Sequence, residues 1–213
     1  VARDMPRTEE TVEIRIDEDV KTDDDVLKLG ILQGDFISFE THTRILNNGY
    51  IKSRYLDDKL CVAQILSYIK FLKDNRLKPK TDLYVYFSNY EEIGHGVSVF
   101  PEDLDEFIAV DIGLVAGEDA HGDEKKMQII AKDSRSTYDF TLRKKLQETA
   151  DKNGIKYTVG VYNRYGSDAT TAILQGFDFK YACIGPNVDA THHYERCHND
   201  GIIETVKLLI AYL

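Results

Sequence analysis

The chain has 213 residues, 42% hydrophobic and 30% charged, the balance of a soluble globular protein with one large domain or a domain and a small companion. Its 27 Lys and Arg against 37 Asp and Glu give a formal charge of −10, which argues against a general nucleic-acid or anionic-membrane surface, because such surfaces need clustered cations. No run approaches about 18 consecutive apolar residues, so no membrane span is expected, and the scattered Cys61, Cys183 and Cys197, with no C-x-x-C pair, fit a reduced, cytoplasmic setting.

In chain order, residues 11–16 alternate like a half-buried strand, and the acidic run 17–25 holds a capping signal at Thr22 for a short helix ending by Gly30. Residues 36–39 predict a second strand, and Asn47-Asn48-Gly49 is a hairpin turn signal. Residues 1–50 therefore read as part of a small β-rich domain, and residues 51–213 as a different one. In the second, residues 60–72 predict a helix apolar nearly all round. Residues 83–87 predict a buried strand, and strands follow at 107–110 and 127–131. A helix over 138–153, a strand over 157–161, a helix over 168–175, a strand over 180–184 and a final helix over 200–213 complete the series. Alternating strands and helices predict an α/β fold, a mainly parallel sheet sandwiched by helices.

The polar residues that interrupt or end these elements are the candidates for chemistry. Asp57 and Asp58 precede the first helix, Glu91 and Glu92 follow the predicted 83–87 strand, and Asp111 ends the next strand. Asp168 opens a helix in Gly166-Ser167-Asp168, and His192, His193 and His198 lie in the loop after the 180–184 strand. Ligands in open α/β sheets bind just beyond the carboxyl ends of the strands. Carboxylates with imidazole suit zinc, cobalt or manganese, and two such ions about 3.5 Å apart can clamp a water and a carbonyl. Singly, each has a plainer reading: Asp57 or Asp58 as a helix cap, Glu91 and Glu92 as a solvated pair, Asp111 as a turn former. Their order along the chain is what singles them out.

Five stretches in that order resemble the two-metal aminopeptidases that include the glutamyl aminopeptidases and the tetrahedral, self-compartmentalising aminopeptidases. They are residues 49–59, with Leu56-Asp57-Asp58-Lys59, residues 90–96, with Glu91-Glu92-Ile93-Gly94, residues 108–112, ending Asp111-Ile112, residues 166–169, with Gly166-Ser167-Asp168, and Ile184-Gly185-Pro186 with His192 beyond. The resemblance implies a zinc-peptidase-like fold with part of a small inserted dimerisation-type domain over residues 1–50. It also implies a homo-oligomer that hydrolyses N-terminal residues from peptides with two divalent ions, zinc or cobalt, with manganese a further candidate. By the same resemblance Asp57 bridges both ions and Glu92 with His192 holds one. Asp111 holds the other, Glu91 is the general base, and Asp168 positions substrate. Spacing favours His192 as the imidazole ligand, with His193 and His198 as alternatives. Tyr194, Glu195 and Arg196 are expected to shape a substrate pocket. The family's early His-x-Asp motif has no counterpart here, so the expectation is a chain that begins inside the inserted domain. Two other functions stay open: a non-catalytic homologue that packs and oligomerises, and an amide hydrolase acting on acylated amino acids.

Overall fold

The acidic run near the start folds as its capping signal requires. Thr22 caps the short helix α1 (Asp23–Lys28), accepting from the Asp25 N–H while the Asp25 carboxylate accepts from the Thr22 N–H, an arrangement worth about 1 kcal/mol. This computed structural model describes residues 3–8, 10–117 and 121–213. It divides into two compact units, Val1–Phe39 and Glu40–Leu213. In the first unit the strands predicted over 11–16 and 36–39 do not form. A period-two pattern makes a strand only where a neighbour covers its apolar face and completes its ladder, and Val12, Ile14 and Phe36 are exposed.

In the second unit the Asn-Asn-Gly signal turns a hairpin of β1 (Arg44–Ile45) and β2 (Tyr50–Ser53), with Gly49 in the left-handed conformation such turns need. Helix α2 (Leu56–Asp74) follows, and it buries Leu56, Cys61, Gln64 and Tyr68. Leu66 and Ile69 are exposed, so α2 is covered along one stripe rather than all round. Next come β3 (Glu106–Val110), β4 (Gly113–Leu114), β5 (Met127–Lys132), α3 (Phe140–Lys152) and β6 (Tyr157–Val161). The chain ends with α4 (Asp168–Leu174), β7 (Lys180–Val188), β8 (Glu195–His198) and α5 (Asn199–Tyr212).

The main sheet has the order β3-β7-β5-β6, with β4 beside the far end of β7. β7 runs parallel to β3 and β4 and antiparallel to β5, and β5 is parallel to β6, so the sheet is mostly parallel but mixed. Alternation along its strands fills both faces. Met127, Ile129, Ala182 and Ile184 join Tyr68, Leu142, Leu146 and Leu208 of α2, α3 and α5 on one side. Ile130 and Cys183 meet Ala169 of α4 on the other. A small antiparallel sheet, β1-β2-β8, stands apart from it. The sequence reading missed β8 because its residues, Glu-Arg-Cys-His, carry no strand-like apolar pattern.

Residues 83–87 are a further departure. They form no strand, no described residue pairs with them in a ladder, and Tyr84 and Tyr86 are well exposed. An apolar run predicts burial on both faces only if neighbours exist to bury it. Among the described residues no helix is long and apolar enough to cross a membrane.

Candidate metal centre

The site lies where strand ends and helix starts of the second unit meet. β2 leads through Tyr55, in the left-handed conformation, into α2. At the first turn of α2 the backbone of Asp57 and Asp58 departs from helical geometry, and the peptide between them is cis. Asp111 sits at a break in the sheet, between the β3 residues that pair with Lys180–Ile184 and the β4 residues that pair with Asn187 and Val188. Glu91 and Glu92 open a single turn, Glu91–Ile93, that Gly94 closes in the left-handed conformation. Gly96 must be glycine for space: a Cβ there would stand 2.3 Å from Asp168 Oδ1 and 3.0 Å from Glu91 Cα.

These elements enclose a cleft of about 580 Å³ whose wall includes Asp57, Glu91, Glu92, Asp111 and His192. His192 Nε2 stands 3.3 Å from Asp57 Oδ2 and 3.3 Å from Glu92 Oε2. Two donor groups share Asp57. Asp57, Glu92 and His192 form one, and Asp57, Asp58 and Asp111 form the other, the ligand atoms of each lying within 4.8 Å of one another. Asp58 Oδ1 is sealed from solvent and has no hydrogen-bond partner among the described residues. Crowded, buried carboxylates with an orphaned oxygen are what a bound cation would relieve, and carboxylate and imidazole donors fit a divalent ion.

Burial dominates the electrostatics. It pushes the Asp111 and Asp58 carboxyls well above the usual carboxylate range, and neighbouring carboxylates add to the effect. Glu91 is pushed up to about 7, first by burial, then by the charges of Asp168, Glu92 and Asp57, with Arg135 opposing. Glu92 is raised by burial and by Asp57, while His192 lowers it.

Asp168 does not line the cleft. Its Oδ2 accepts from Ser88 Oγ at 2.6 Å, and it bears on Glu91 through its charge. Of the three candidate histidines, the structure brings only His192 to the carboxylates. His198 is buried as the cap of α5, its Nδ1 accepting from the Asp200 N–H at 3.1 Å and its Nε2 3.1 Å from the Asn48 carbonyl. Arg196, expected in a substrate pocket, instead pairs with Glu124 at 2.8 and 2.9 Å and lies over Tyr50. Glu195, expected there too, is buried against the start of α2. The cleft's guanidiniums are Arg135 and Arg164, which the sequence reading did not single out. Arg135 is held by its backbone N–H on Asp133 Oδ1 at 2.8 Å and by its side chain on Thr171. Asp133 is itself buried and accepts from Tyr138 and Thr170 at 3.0 and 2.8 Å. A carboxylate satisfied by its own loop and by Thr170 of α4, 37 residues away, leaves no periodic trace in a sequence.

Comparison with known proteins bears on the family and the fold. The family described as M42 glutamyl aminopeptidase matches residues 2–208. YhfE of Bacillus subtilis (strain 168), a protein named as an aminopeptidase, is 40% identical over 208 residues, 97% of this chain and 60% of its own length. The chain therefore spans less than two thirds of that relative. Among solved structures, the TET1 peptidase of Pyrococcus horikoshii, which can assemble into a tetrahedron or a large octahedral shell, superposes with a TM-score of 0.73 at 25% identity. The match covers 91% of this chain and 58% of that one. An aminopeptidase from the archaeon Desulfurococcus kamchatkensis, 21% identical, shares the fold with a TM-score of 0.80 over 91% of this chain and 57% of its own.

Proposed function

The chain belongs to the M42 glutamyl aminopeptidase family, whose members use divalent metal ions together, and on that premise we propose that it serves a metal-dependent aminopeptidase that removes N-terminal residues from peptides. One observation carries the reading: the Asp57 carboxylate belongs to two donor groups at once, with Glu91 beside both. Asp57 would be the carboxylate shared by two ions, with Glu92 and His192 completing the donor set for one and Asp111 with the carboxylates around it that for the other. Zinc or cobalt suits the position with the imidazole. When bound, the ions polarise the scissile carbonyl and lower the pKa of water toward about 7.

The rest falls to side chains of this chain. Glu91, raised to about 7, is poised to take a proton from the attacking water near neutral pH and to return it to the leaving amine. Asp168 acts on Glu91 through its charge rather than by touching substrate. The exposed edges of Glu92 and His192 leave the peptide a way in from solvent. Homo-oligomerisation, as in the Pyrococcus TET1 peptidase, and a dimerisation-type role for residues 1–50 belong to the same proposal.

The test is to count bound zinc or cobalt in the purified protein and to assay a panel of aminoacyl anilides. Glu91→Gln is expected to retain its ions and lose turnover by about 10²- to 10⁴-fold, the usual contribution of a general base. Loss of the ions with Glu91→Gln would mean that the two glutamates have exchanged roles. A protein that binds no ion and turns over no substrate would end the proposal.

A further inference from the structure

A carboxylate that bridges two ions must hold both oxygens in one orientation, because ions at about 2.0–2.2 Å from their oxygens tolerate little rotation. Asp57 stands where its own helix gives little help. Tyr55, which precedes α2, makes no side-chain cap, and the backbone at Asp57 and Asp58 is not helical. The first N–H groups of any helix lack intrahelical acceptors and need others.

The acceptors come from one short hairpin far along the chain. Between the end of β7 and the start of β8 the chain folds back on itself, with Asp189 bridged to Arg196 and with Ala190 and His192 in the left-handed conformation. The buried Glu195 carboxylate, at the start of β8, accepts from the Leu56 N–H at 2.5 Å and from the Asp57 N–H at 3.3 and 3.4 Å. Thr191 Oγ1 donates to Asp57 Oδ2 at 2.6 Å. His192, between them, reaches the same Oδ2 at 3.3 Å. The hairpin thus grips Asp57 by its backbone, by its side chain and at the proposed ion.

We infer that Glu195 and Thr191 are positioning residues that fix Asp57 for its bridging role, so that one hairpin delivers an ion ligand, His192, together with the two groups that orient the shared ligand. The inference rests on the two-ion reading of Asp57. The plainer alternative is that Glu195 is only a remote cap for α2, which would affect folding and leave ion binding unchanged in the folded protein.

Zinc affinity separates the two. It is measured by competition with a chromophoric chelator, alongside the melting temperature of the zinc-free protein and the visible spectrum of the cobalt-loaded one. Glu195→Ala is expected to lower zinc affinity about 10- to 100-fold, the usual cost of losing a group that orients a ligand, and to change the cobalt spectrum. Glu195→Gln, whose amide oxygen can still accept from both N–H groups, is expected to restore most of that loss. Thr191→Val, which removes only the hydroxyl, is expected to weaken zinc by at least about 5-fold, while Thr191→Ser keeps it. If Glu195→Ala folds and binds zinc as the unaltered protein does, or if Glu195→Gln is as impaired as Glu195→Ala, the inference is overturned. Should Glu195→Ala not fold, Thr191→Val decides, and unchanged affinity there overturns it. An unaltered protein that binds no zinc would sink the two-ion reading itself, a result distinct from normal zinc binding that Glu195→Ala leaves intact.

Discussion

The two sides of Asp57 are unlike. Toward Glu92 and His192 the donors are a carboxylate and an imidazole, with 54% and 65% of their side chains exposed. Toward Asp58 and Asp111 the donors are all carboxylates, and Asp111 is buried. An ion on the open side would stand near solvent and find a donor set suited to zinc or cobalt. Among the described residues the closed side offers oxygen donors, in a place where unneutralised charge is costly. One carboxylate therefore links an accessible position to an enclosed one.

Asp57→Asn should abolish that difference and have the largest effect. It removes the shared charge and one anionic oxygen from both positions. The expected result is loss of both ions at micromolar concentration and of turnover by at least about 10³-fold, read by metal analysis after dialysis. Glu92→Ala, in contrast, should empty the open position alone. If Asp57→Asn lost only one ion, Asp57 would belong to one side and the comparison would collapse.

How much of this was legible in the sequence follows from the same contrast. Carboxylates and imidazoles that interrupt apolar elements advertise themselves, and the strand–helix alternation from residue 55 onward carried the α/β fold. What could not be read is contact between distant backbone and side chain. Glu195 meets the Leu56 and Asp57 N–H groups across more than 130 residues, and no periodicity encodes that. Arg196 and Glu195 are neighbours in sequence, yet one faces Glu124 and the other α2, because successive residues of a strand point to opposite faces. Residues 83–87 misled for the converse reason: their apolar pattern is real, but a strand also needs a partner. Asp58 stands among the sequence's candidates with no role of its own, since neither its burial nor its orphaned oxygen is a property of its neighbours in sequence.

The closed side also predicts how the metal-free protein responds to pH. Asp111, Asp58 and Glu91 all have folded-state pKa values above their ordinary ones, chiefly through burial. A raised acid binds its proton more tightly when folded, so its contribution to stability is full below the ordinary pKa and is lost as pH rises through the folded one. For Glu91 that window runs from 4.5 to about 7. Asp25 and Asp123 are shifted downward by their hydrogen bonds and act below 3.8, outside it. The melting temperature of the metal-free protein should therefore fall between pH 4.5 and 7.5, less steeply in Glu91→Gln, and added zinc should restore it. A melting temperature that rises through this window would show that the closed side is not strained by its own charge.

The smallest expected effect concerns what enters the open side. Arg135 is anchored by Asp133 and Thr171 and cannot follow a substrate. Arg164 lines the same cleft, is exposed, and forms no ion pair among the described residues. A free guanidinium there should favour a peptide whose N-terminal residue is acidic, but only modestly, because exposed pairs are worth about 0–1 kcal/mol and are screened by salt. Arg164→Ala is accordingly expected to raise KM for glutamyl and aspartyl anilides about 2- to 5-fold relative to alanyl anilide, with kcat unchanged. The difference should shrink at high salt. An equal rise for all three substrates would mean that Arg164 shapes the cleft without reading charge, and a fall in kcat would place it closer to the reacting atoms than its exposure suggests.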